Sequence, residues 1–562
     1  MKARKLIPLL VIAAGLLAYS NSFTGPFIFD DVLSITENPT IQHLWPIWQC
    51  LSAKHSGGLT VEGRPIINLS LAINYALDGL QVWGYHAFNL AIHILAALTL
   101  LGIVRRTLLQ PTLRERFGAA ANGLALATAV LWMVHPLQTE SVTYVIQRAE
   151  SITGLFYLLT LYGFIRGTES QRPGPWYGLA LAACALGMAS KEVMVSAPVM
   201  VMLYDRAFLS GSIAEAWRRR WRLYLGLAAT WILLGLVLVS GQLPATWTTA
   251  QHLGLTWWQY LLTEPGVILH YLRLSVWPHP LCFDYYGWPM AITGASILLP
   301  ALVLVILLGA TAWSWKKNTA WGFVGAWFFL ILAPSSSVIP LDSPAYEHRM
   351  YLPLAAVVVL VVLGIHALVG RRSLVVFTAA AIGLGLLTWQ RNQDYRSELA
   401  IWADTIAVRP DNPRAHNYLG AALWKAGKIQ EAISQYKQAL ELKPDYPDAH
   451  YNLGNALFAF GRVQEAAGHW AQAVRIDPDY VDARNNLGAF LAQTGRFPAA
   501  IEQFEWVLRI TPDDPEVHYN LAVALEQTGR VPEAIQQYEQ ALRLKPDYID
   551  ARNRLARLRT VR

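Results

Sequence analysis

Cysteine is nearly absent from this chain of 562 residues, which contains only Cys50, Cys184 and Cys282. Three scattered cysteines are too few for a disulfide framework or a thiolate metal site. Acidic residues are also scarce over 1–390, where 16 Asp and Glu stand against 24 Lys and Arg. The sequence has no P-loop, GxSxG, CxxC or HExxH motif. These absences argue against nucleotide, serine-hydrolase, thiol-redox and zinc-peptidase chemistry, and no metal-ligating spacing is diagnostic.

Long apolar runs dominate the part of the chain before position 391. A membrane-spanning helix needs about 20 mostly apolar residues, and eleven segments approach this length. They lie near residues 6–20, 85–104, 119–135, 150–166, 175–190, 193–209, 222–240, 294–314, 319–334, 351–369 and 373–390. A twelfth apolar segment, 257–277, contains Glu264, Pro265, His270 and Arg273 and could span the membrane or lie at its interface; the alternation of basic residues favours eleven spans, without this segment. The sequence therefore predicts a polytopic helical bundle.

The distribution of charge predicts the orientation of this bundle. With the N-terminus inside, 18 of the 24 basic residues fall on the inner side and 12 of the 16 acids on the outer side. The formal net charge of +7 is therefore interpreted as topology charge and not as a nucleic-acid surface. Because charged groups are costly near a membrane unless solvated or paired, the collected acids predict a polar site at the outer leaflet.

From position 391 the sequence becomes a regular repeat with a period of about 34 residues. Prolines recur in one register at Pro410, Pro444, Pro478, Pro512 and Pro546. This period, with small residues at fixed positions, is typical of tetratricopeptide repeats, each a helix–turn–helix. We predict an all-α protein with a membrane domain over 1–390 and a repeat domain over 391–562. The repeat domain has four repeats at about 411–546, an entering helix at 396–409 and a capping helix at 547–562.

Asp30 and Asp31 follow the first apolar run and are flanked by aromatic residues. Two adjacent carboxylates raise each other's proton affinity, and burial adds to this effect, so the pair is a candidate general base. The alternative is a solvated acid pair beside the membrane.

Three further positions offer polar side chains on the predicted outer side. Arg64 and His86 are suited to an anionic or hydroxylic ligand. Arg148, at a predicted helix start, could bind phosphate, or it could pair with Glu140 or Glu150. Each alternative remains open from the sequence.

Two charged motifs lie further along the chain. Lys191-Glu192 interrupts an apolar hairpin and predicts either an ion pair facing the bundle or a ligand contact. Glu347-His348-Arg349 opens the apolar span near 351–369 and could hold a phosphate leaving group, or it could be a charged helix end. Asp284 lies in an aromatic and proline-rich outer loop and joins the candidate site.

The ordered motifs resemble the transmembrane and tetratricopeptide-repeat-containing O-mannosyltransferase family, within the GT-C superfamily of glycosyltransferases. The motifs that carry the resemblance are Phe29-Asp30-Asp31, Glu37-Asn38-Pro39, Gly63-Arg64-Pro65, Gly84-Tyr85-His86, His135-Pro136, Arg148-Ala149-Glu150, Lys191-Glu192, Trp277-Pro278, Glu347-His348-Arg349-Met350-Tyr351 and the repeats. The resemblance covers essentially the whole chain in order.

This resemblance implies a GT-C fold and a polyprenyl-phosphate sugar donor, typically a mannosyl one. Asp30 matches the acid that acts as base in the related protein O-mannosyltransferases, whereas Asp31 stands where those enzymes have Glu, so the base is Asp30 or Asp31. No cofactor is expected to be required, although a divalent cation is possible. The expected acceptor is an exported polypeptide bound through the repeat groove, in a bacterial inner membrane with site and repeats on the periplasmic side.

Two other functions fit the same sequence. One is a GT-C enzyme that acts on a lipid or glycan acceptor, with the repeats used for assembly. The other is a non-catalytic membrane scaffold whose repeats recruit envelope proteins.

Overall fold

The computed structural model describes residues 2–52, 60–239, 256–290, 294–317, 319–336 and 343–560. The chain is mainly helical in these ranges, which contain no β-strand, so the predicted all-α class is confirmed. The chain divides into two compact units, Met1–Val408 and Arg409–Arg562. The first unit extends beyond position 390 to Val408, because Trp402 of its last helix packs on Phe29 and Phe283 at 5.5 and 5.3 Å between ring centroids.

The described part of the first unit contains seventeen α-helices, joined by short 3-10 and π turns. They are α1 Lys2–Ala18, α2 Ile47–Leu51, α3 Pro65–Asp78, α4 Val82–Leu108, α5 Pro111–Phe117, α6 Ala121–Met133, α7 Thr139–Thr143, α8 Arg148–Glu169, α9 Pro173–Met188, α10 Ala197–Asp205, α11 Ile213–Val239, α12 Trp257–Val276, α13 Gly294–Lys317, α14 Thr319–Leu332, α15 Leu354–Val369, α16 Ser373–Arg391 and α17 Glu398–Val408.

Five helical segments in the described residues are long and apolar enough to cross a membrane. They are Val82–Leu108, Glu192–Ser210, Ile213–Val239, Gly294–Lys317 and Leu354–Arg396, and the bent pair Pro111–Met133 and Pro136–Thr143 makes a sixth if it forms one span. The first unit is therefore a membrane domain. The predicted number of eleven spans is not confirmed, because α1, α9 and α14 have only 17, 16 and 14 residues. The helix over the twelfth apolar segment, α12, is not among the five.

A buried aromatic cluster holds the helices that carry the candidate site. His93 of α4 is fully buried, and its ring nitrogens contact the Tyr351 hydroxyl at 2.9 Å and the Met133 carbonyl at 3.0 Å. The Trp132 indole N–H donates to the carbonyl of Tyr351 at 2.8 Å. His93 is thus a packed bundle histidine, as its position one turn below Asn89 predicts. These bonds connect α4 and α6 to the segment that opens with Glu347.

The repeat unit contains nine α-helices among its described residues, and these follow the predicted period. They are α18 Pro413–Lys425, α19 Ile429–Leu442, α20 Pro447–Ala459, α21 Val463–Ile476, α22 Val481–Gln493, α23 Phe497–Ile510, α24 Pro515–Gln527, α25 Val531–Leu544 and α26 Ile549–Thr560. The turn in each repeat needs a left-handed residue, supplied for example by Gly461 at φ 86°. Gly454 allows the two helices of its repeat to approach, because a Cβ there would lie 2.6 Å from the ring of Trp470.

Candidate active site

Asp31 is fully buried in the loop that follows α1. Its Oδ2 accepts a hydrogen bond from the N–H of Ile28 at 3.1 Å, and its Oδ1 accepts one from the N–H of Ile146 at 2.7 Å. Burial raises the pKa of the Asp31 carboxyl to about 8, repulsion from Asp30 adds to the rise, and the two N–H donors oppose it. Asp31 therefore ties this loop to the turn that precedes α8.

Asp30 lies in a different environment, because it is only half-buried. Its backbone N–H donates to the Tyr144 hydroxyl at 2.9 Å, and its Oδ2 accepts from the Thr60 hydroxyl at 3.2 Å. A carboxylate that is accessible and already accepts from one hydroxyl can also accept a proton from a substrate hydroxyl. The two adjacent acids thus differ: Asp31 is anchored by the backbone, and Asp30 is accessible.

The residue before this pair has a strained backbone. Phe29 has φ 49°, the only positive φ of a non-glycine residue in the described chain, a conformation that costs about 1–3 kcal/mol. Its ring packs edge to face on Phe283 and Trp402 at centroid distances of 6.1 and 5.5 Å, and Tyr144 packs on Phe283 at 5.1 Å. This aromatic packing offsets the backbone strain at Phe29 and fixes the direction in which the Asp30 side chain projects from the backbone.

A row of buried charged groups connects three distant parts of the first unit. Glu140 Oε1 lies 2.6 Å from His348 Nδ1, and its Oε2 accepts the backbone N–H of His348 at 2.9 Å. On the other side of the ring, His348 Nε2 is 3.8 Å from Glu150 Oε1, which also pairs with Lys191 Nζ. The structure therefore answers one open alternative for Lys191: its ammonium forms an ion pair inside the bundle.

Arg64 and Glu192 link this row back to Asp30. The Arg64 guanidinium lies 3.8 Å from the Glu192 carboxylate and donates to the carbonyl of Thr60 at 3.0 Å. Thr60 is the residue whose hydroxyl donates to Asp30. The separation from Glu192 is long for an ion pair, so the Arg64 guanidinium is only loosely held and retains capacity for an anion.

Three cationic side chains surround His348. Burial holds the pKa of His348 well below its usual value, the Glu150 carboxylate opposes this shift, and Lys191, Arg349 and Arg64 reinforce it. His348 is consequently a neutral imidazole between an acidic and a basic neighbourhood. Of these three cations, the sequence predicts Arg349 for a phosphate, Arg64 for an anionic or hydroxylic ligand and Lys191 for an ion pair or a ligand contact.

Asp284 lies in the aromatic loop that contains Phe283, and Glu347 accepts hydrogen bonds from that loop. Glu347 Oε1 accepts the N–H of Cys282 at 2.6 Å and the hydroxyl of Tyr285 at 2.8 Å. Burial raises the pKa of Glu347 to about 8 despite these donors. Asp284 Oδ1 accepts the N–H of Tyr286 at 3.1 Å. Both acids therefore support the conformation of this loop.

Arg349 is buried, yet its hydrogen bonds go to neutral groups. Its Nη1 donates to the carbonyl of Pro344 at 2.5 Å and to the Tyr260 hydroxyl at 3.4 Å, and its Nη2 donates to the carbonyl of Ser343 at 3.4 Å. Its guanidinium also lies 4.8 Å from the centroid of the Tyr346 ring. No ion pair of Arg349 occurs within the described ranges, so its positive charge is not neutralised by a directly bonded carboxylate.

Arg148 and His86 lie deeper, at the junction of α3, α4 and α8. Arg148 is fully buried and donates to Asn74 Oδ1 at 2.6 Å and to the carbonyl of Tyr85 at 3.2 Å. It forms no ion pair with either predicted acid partner within the described residues. His86 is 2% exposed, and its Nε2 contacts the carbonyl of Gly25 at 3.0 Å. Through these contacts Arg148 connects α8 to α3 and α4, and His86 connects α4 to the loop after α1.

The structure thus groups the predicted site residues into two sets. The connected set comprises Asp30, Arg64, Lys191, Glu192 and His348, with Arg349 beside it. The supporting set comprises Asp31, His86, Arg148, Asp284 and Glu347.

Two buried charged residues were missed as site candidates. Arg391 is 6% exposed and pairs with Asp394 and Asp404, while its Nε and Nη2 have no hydrogen-bond partner in the described structure. Glu264 is 2% exposed and lies near Tyr260 and Arg349. The signal that could have identified them is a single charge within or at the end of an apolar run.

The repeats match known family profiles, and about three quarters of the chain matches known proteins. Profiles described as "TPR repeat" and "Tetratricopeptide repeat" match residues 425–461 and residues 451–515 and 486–549. Protein O-mannosyl-transferase Tmtc3 of Drosophila melanogaster is 26% identical over 77% of this chain and 54% of its own length. Protein O-mannosyl-transferase F38B6.6 of Caenorhabditis elegans is 25% identical over 77% of this chain and 62% of its own length.

A third relative has the same enzyme description and matches a similar share of this chain. Protein O-mannosyl-transferase TMTC4 of Homo sapiens is 25% identical over 76% of this chain and 65% of its own length. The chain therefore spans between half and two thirds of the length of these curated relatives. These matches confirm the predicted resemblance: the chain is a homologue of the transmembrane and tetratricopeptide-repeat-containing O-mannosyltransferases.

Proposed function

We propose that this protein transfers mannose from a polyprenyl-phosphate donor to hydroxyl groups of exported proteins. The names of the relatives support the sugar and the protein acceptor, since they match about three quarters of this chain. The observation that carries the proposal is the unequal pair at the first loop, in which a backbone-anchored Asp31 holds an accessible Asp30.

Asp30 acts as the general base. The acceptor is a serine or threonine hydroxyl, whose proton passes to the Asp30 carboxylate as its oxygen bonds to the anomeric carbon of the donor sugar. The bond between that carbon and the phosphate oxygen breaks at the same time, and the electron pair leaves with the polyprenyl phosphate. Asp31 cannot perform this step as readily, because both of its oxygens accept backbone N–H groups.

The leaving phosphate is stabilised by Arg349, with Arg64 and Lys191 next to it. Electrostatic stabilisation of developing charge is usually the largest contribution to catalysis. Arg349 is best suited because, among the described residues, its hydrogen bonds go to carbonyls and a hydroxyl and not to a carboxylate. Lys191 is already paired with Glu150 and therefore contributes at longer range.

The repeats bind the acceptor polypeptide. Stacked helix pairs form extended surfaces that commonly take peptides. Asparagine amides connect the first helices of successive repeats, from Asn452 to Asn417 at 3.0 Å and from Asn486 to Asn455 at 2.9 Å. Such amides can also bond the backbone of an extended peptide. The proposed setting is a bacterial inner membrane, with the acids and the repeats on the periplasmic side, as the charge distribution predicts.

The test compares Asp30→Asn with Asp31→Asn by mass spectrometry of exported proteins from cells that carry each variant. Removal of a general base lowers rates about 10²–10⁴-fold, so Asp30→Asn is expected to abolish detectable mannosylation while the protein is inserted at normal levels. Asp445→Asn, which changes an exposed acid of the repeats, is the matched control. Wild-type mannosylation by the Asp30→Asn variant would rule out the proposed base.

A further inference from the structure

One side-chain contact is repeated in all four repeats. The fourth residue of each first helix bonds the carbonyl of the proline six residues earlier and a side chain 19 residues later. The partners are His416 with Pro410 and Gln435, His450 with Pro444 and His469, Arg484 with Pro478 and Gln503, and His518 with Pro512 and Gln537. Three repeats place a glutamine amide at the second position, and only the second repeat places an imidazole there.

The second repeat therefore brings two imidazole nitrogens together. His450 Nδ1 and His469 Nδ1 are 3.0 Å apart, and the ring centroids are separated by 5.3 Å with an angle of 31° between the rings. His450 Nε2 lies 3.0 Å from the carbonyl of Pro444. Because a carbonyl only accepts, Nε2 carries the proton and the Nδ1 of neutral His450 presents a lone pair to His469.

We propose that His450 and His469 chelate a divalent transition-metal ion such as Zn²⁺. Imidazole is a preferred ligand of zinc, copper and nickel. Two nitrogens at a Zn–N distance of about 2.0–2.1 Å in a tetrahedral shell are about 3.3 Å apart, so an opening of about 0.3 Å would admit the ion. The bond from His450 Nε2 to a carbonyl is the outer contact that usually orients a metal-bound histidine.

The surroundings favour neutral rings, as metal binding requires. Burial holds the pKa values of both histidines below their usual value. The positive charge of Arg475 lowers the pKa of His450 further. Lys437 and Arg462 lower the pKa of His469 further, and the Glu465 carboxylate opposes them.

The site is an open one. No group of three or more metal-binding side chains occurs among the residues the structure describes. Glu465 lies one turn before His469, but its carboxylate is paired with Arg462 at 2.6 Å. The remaining coordination positions are thus filled by water or by a ligand from a bound polypeptide, in contrast to structural zinc sites with four protein ligands.

The experiment uses the full chain in detergent, carrying no polyhistidine tag and stripped of metal. Binding of ZnCl₂ is measured by calorimetry at about pH 7.5, where neutral histidine prevails. The wild type is expected to bind one Zn²⁺ at this site. The His469→Gln variant is expected to bind that ion with an affinity at least about tenfold lower, since even the outer contacts of a metal site contribute that much. His469→Gln introduces the histidine–glutamine pair found in the first and fourth repeats, so it is expected to fold.

A second variant, Gln435→His, tests whether a new site can be built. It creates the same histidine pair, with His416, in the first repeat. It is expected to add one equivalent of Zn²⁺. A wild type that binds no more Zn²⁺ than His469→Gln would show that the contact is a hydrogen bond only, and would overturn the proposal. This test is independent of mannosyl transfer, since it reads metal binding alone.

Discussion

The two units of this protein place charged side chains in opposite environments. In the membrane unit, Lys191 and Glu150 pair with 8% of each side chain exposed. In the repeat unit, Lys428 and Glu431 pair with 53% and 60% exposed. Exposed pairs contribute little to stability, whereas buried pairs lose hydration that their attraction barely repays. The buried charges of the membrane unit are therefore better explained by function than by stability.

The sequence separation of these pairs differs in the same way. In the repeat unit, the exposed pair of Lys428 and Glu431 and that of Arg530 and Glu533 each join residues three apart. The buried membrane pair of Lys191 and Glu150 joins residues 41 apart in different segments, and the nearby contact of Glu140 with His348 joins residues 208 apart. Local pairs lie on the surface of a helix that would form without them. Distant pairs bring several segments together, as a site built from separate parts of the chain requires.

The largest effect that would sharpen this comparison is expected at Arg349. Arg349→Gln keeps one N–H donor for the neighbouring carbonyls but removes the charge. We expect mannosylation of exported proteins to fall about 10²–10³-fold, since loss of one transition-state donor costs that much. Arg530→Gln, which changes an exposed repeat arginine, is expected to leave it unchanged. Equal activity of the two variants would show that the buried charge is not catalytic.

The next effect is on folding and is expected at Lys191. Lys191→Met leaves the Glu150 carboxylate buried without its partner, which costs about 3–5 kcal/mol. The unfolding midpoint in detergent is expected to fall sharply, whereas Lys428→Met in the repeats is expected to leave it unchanged. Adding Glu150→Met to Lys191→Met is expected to recover stability, because an apolar pair avoids the unpaired charge. Similar midpoints for the two single variants would contradict a difference between the units.

The repeats could be predicted almost completely from the sequence. Their contacts are local, so the repeat period determines where each helix begins and where Gly454 must face Trp470. The membrane unit was predictable in class. The number of spans was not, because α14 has only 14 residues and length alone does not identify a crossing.

Within the candidate site, the sequence could identify charges but not their partners. Arg148 has the side chain and the predicted helix-start position of a phosphate ligand. In the structure it is fully buried against Asn74 and Tyr85. Burial of an arginine among carbonyls depends on how α3, α4 and α8 pack. The same limit applies to Asp31, whose partner Ile146 lies 115 residues away. No local pattern reveals which of two adjacent acids meets that N–H.

The smallest effect concerns the pH dependence of folding at Asp31. Burial raises the pKa of this carboxyl to about 8 in the folded chain, against about 3.9 in an unfolded one. The folded state then holds the extra proton, so the stability that this group contributes is present below about pH 4 and is lost as the pH rises towards 8. We expect the unfolding midpoint to fall more between about pH 5 and 8 in the wild type than in Asp31→Asn. Asp445→Asn in the repeats should keep the wild-type slope.

This last difference bears directly on the chemistry. A protonated Asp31 at neutral pH would leave Asp30 as the single charged carboxylate of the pair and would spare it the repulsion of a second charge. Identical slopes for the wild type and Asp31→Asn would mean that Asp31 is ionised when folded. In that case repulsion between the two carboxylates, and not the anchoring of one by backbone N–H groups, would set the proton affinity of the base.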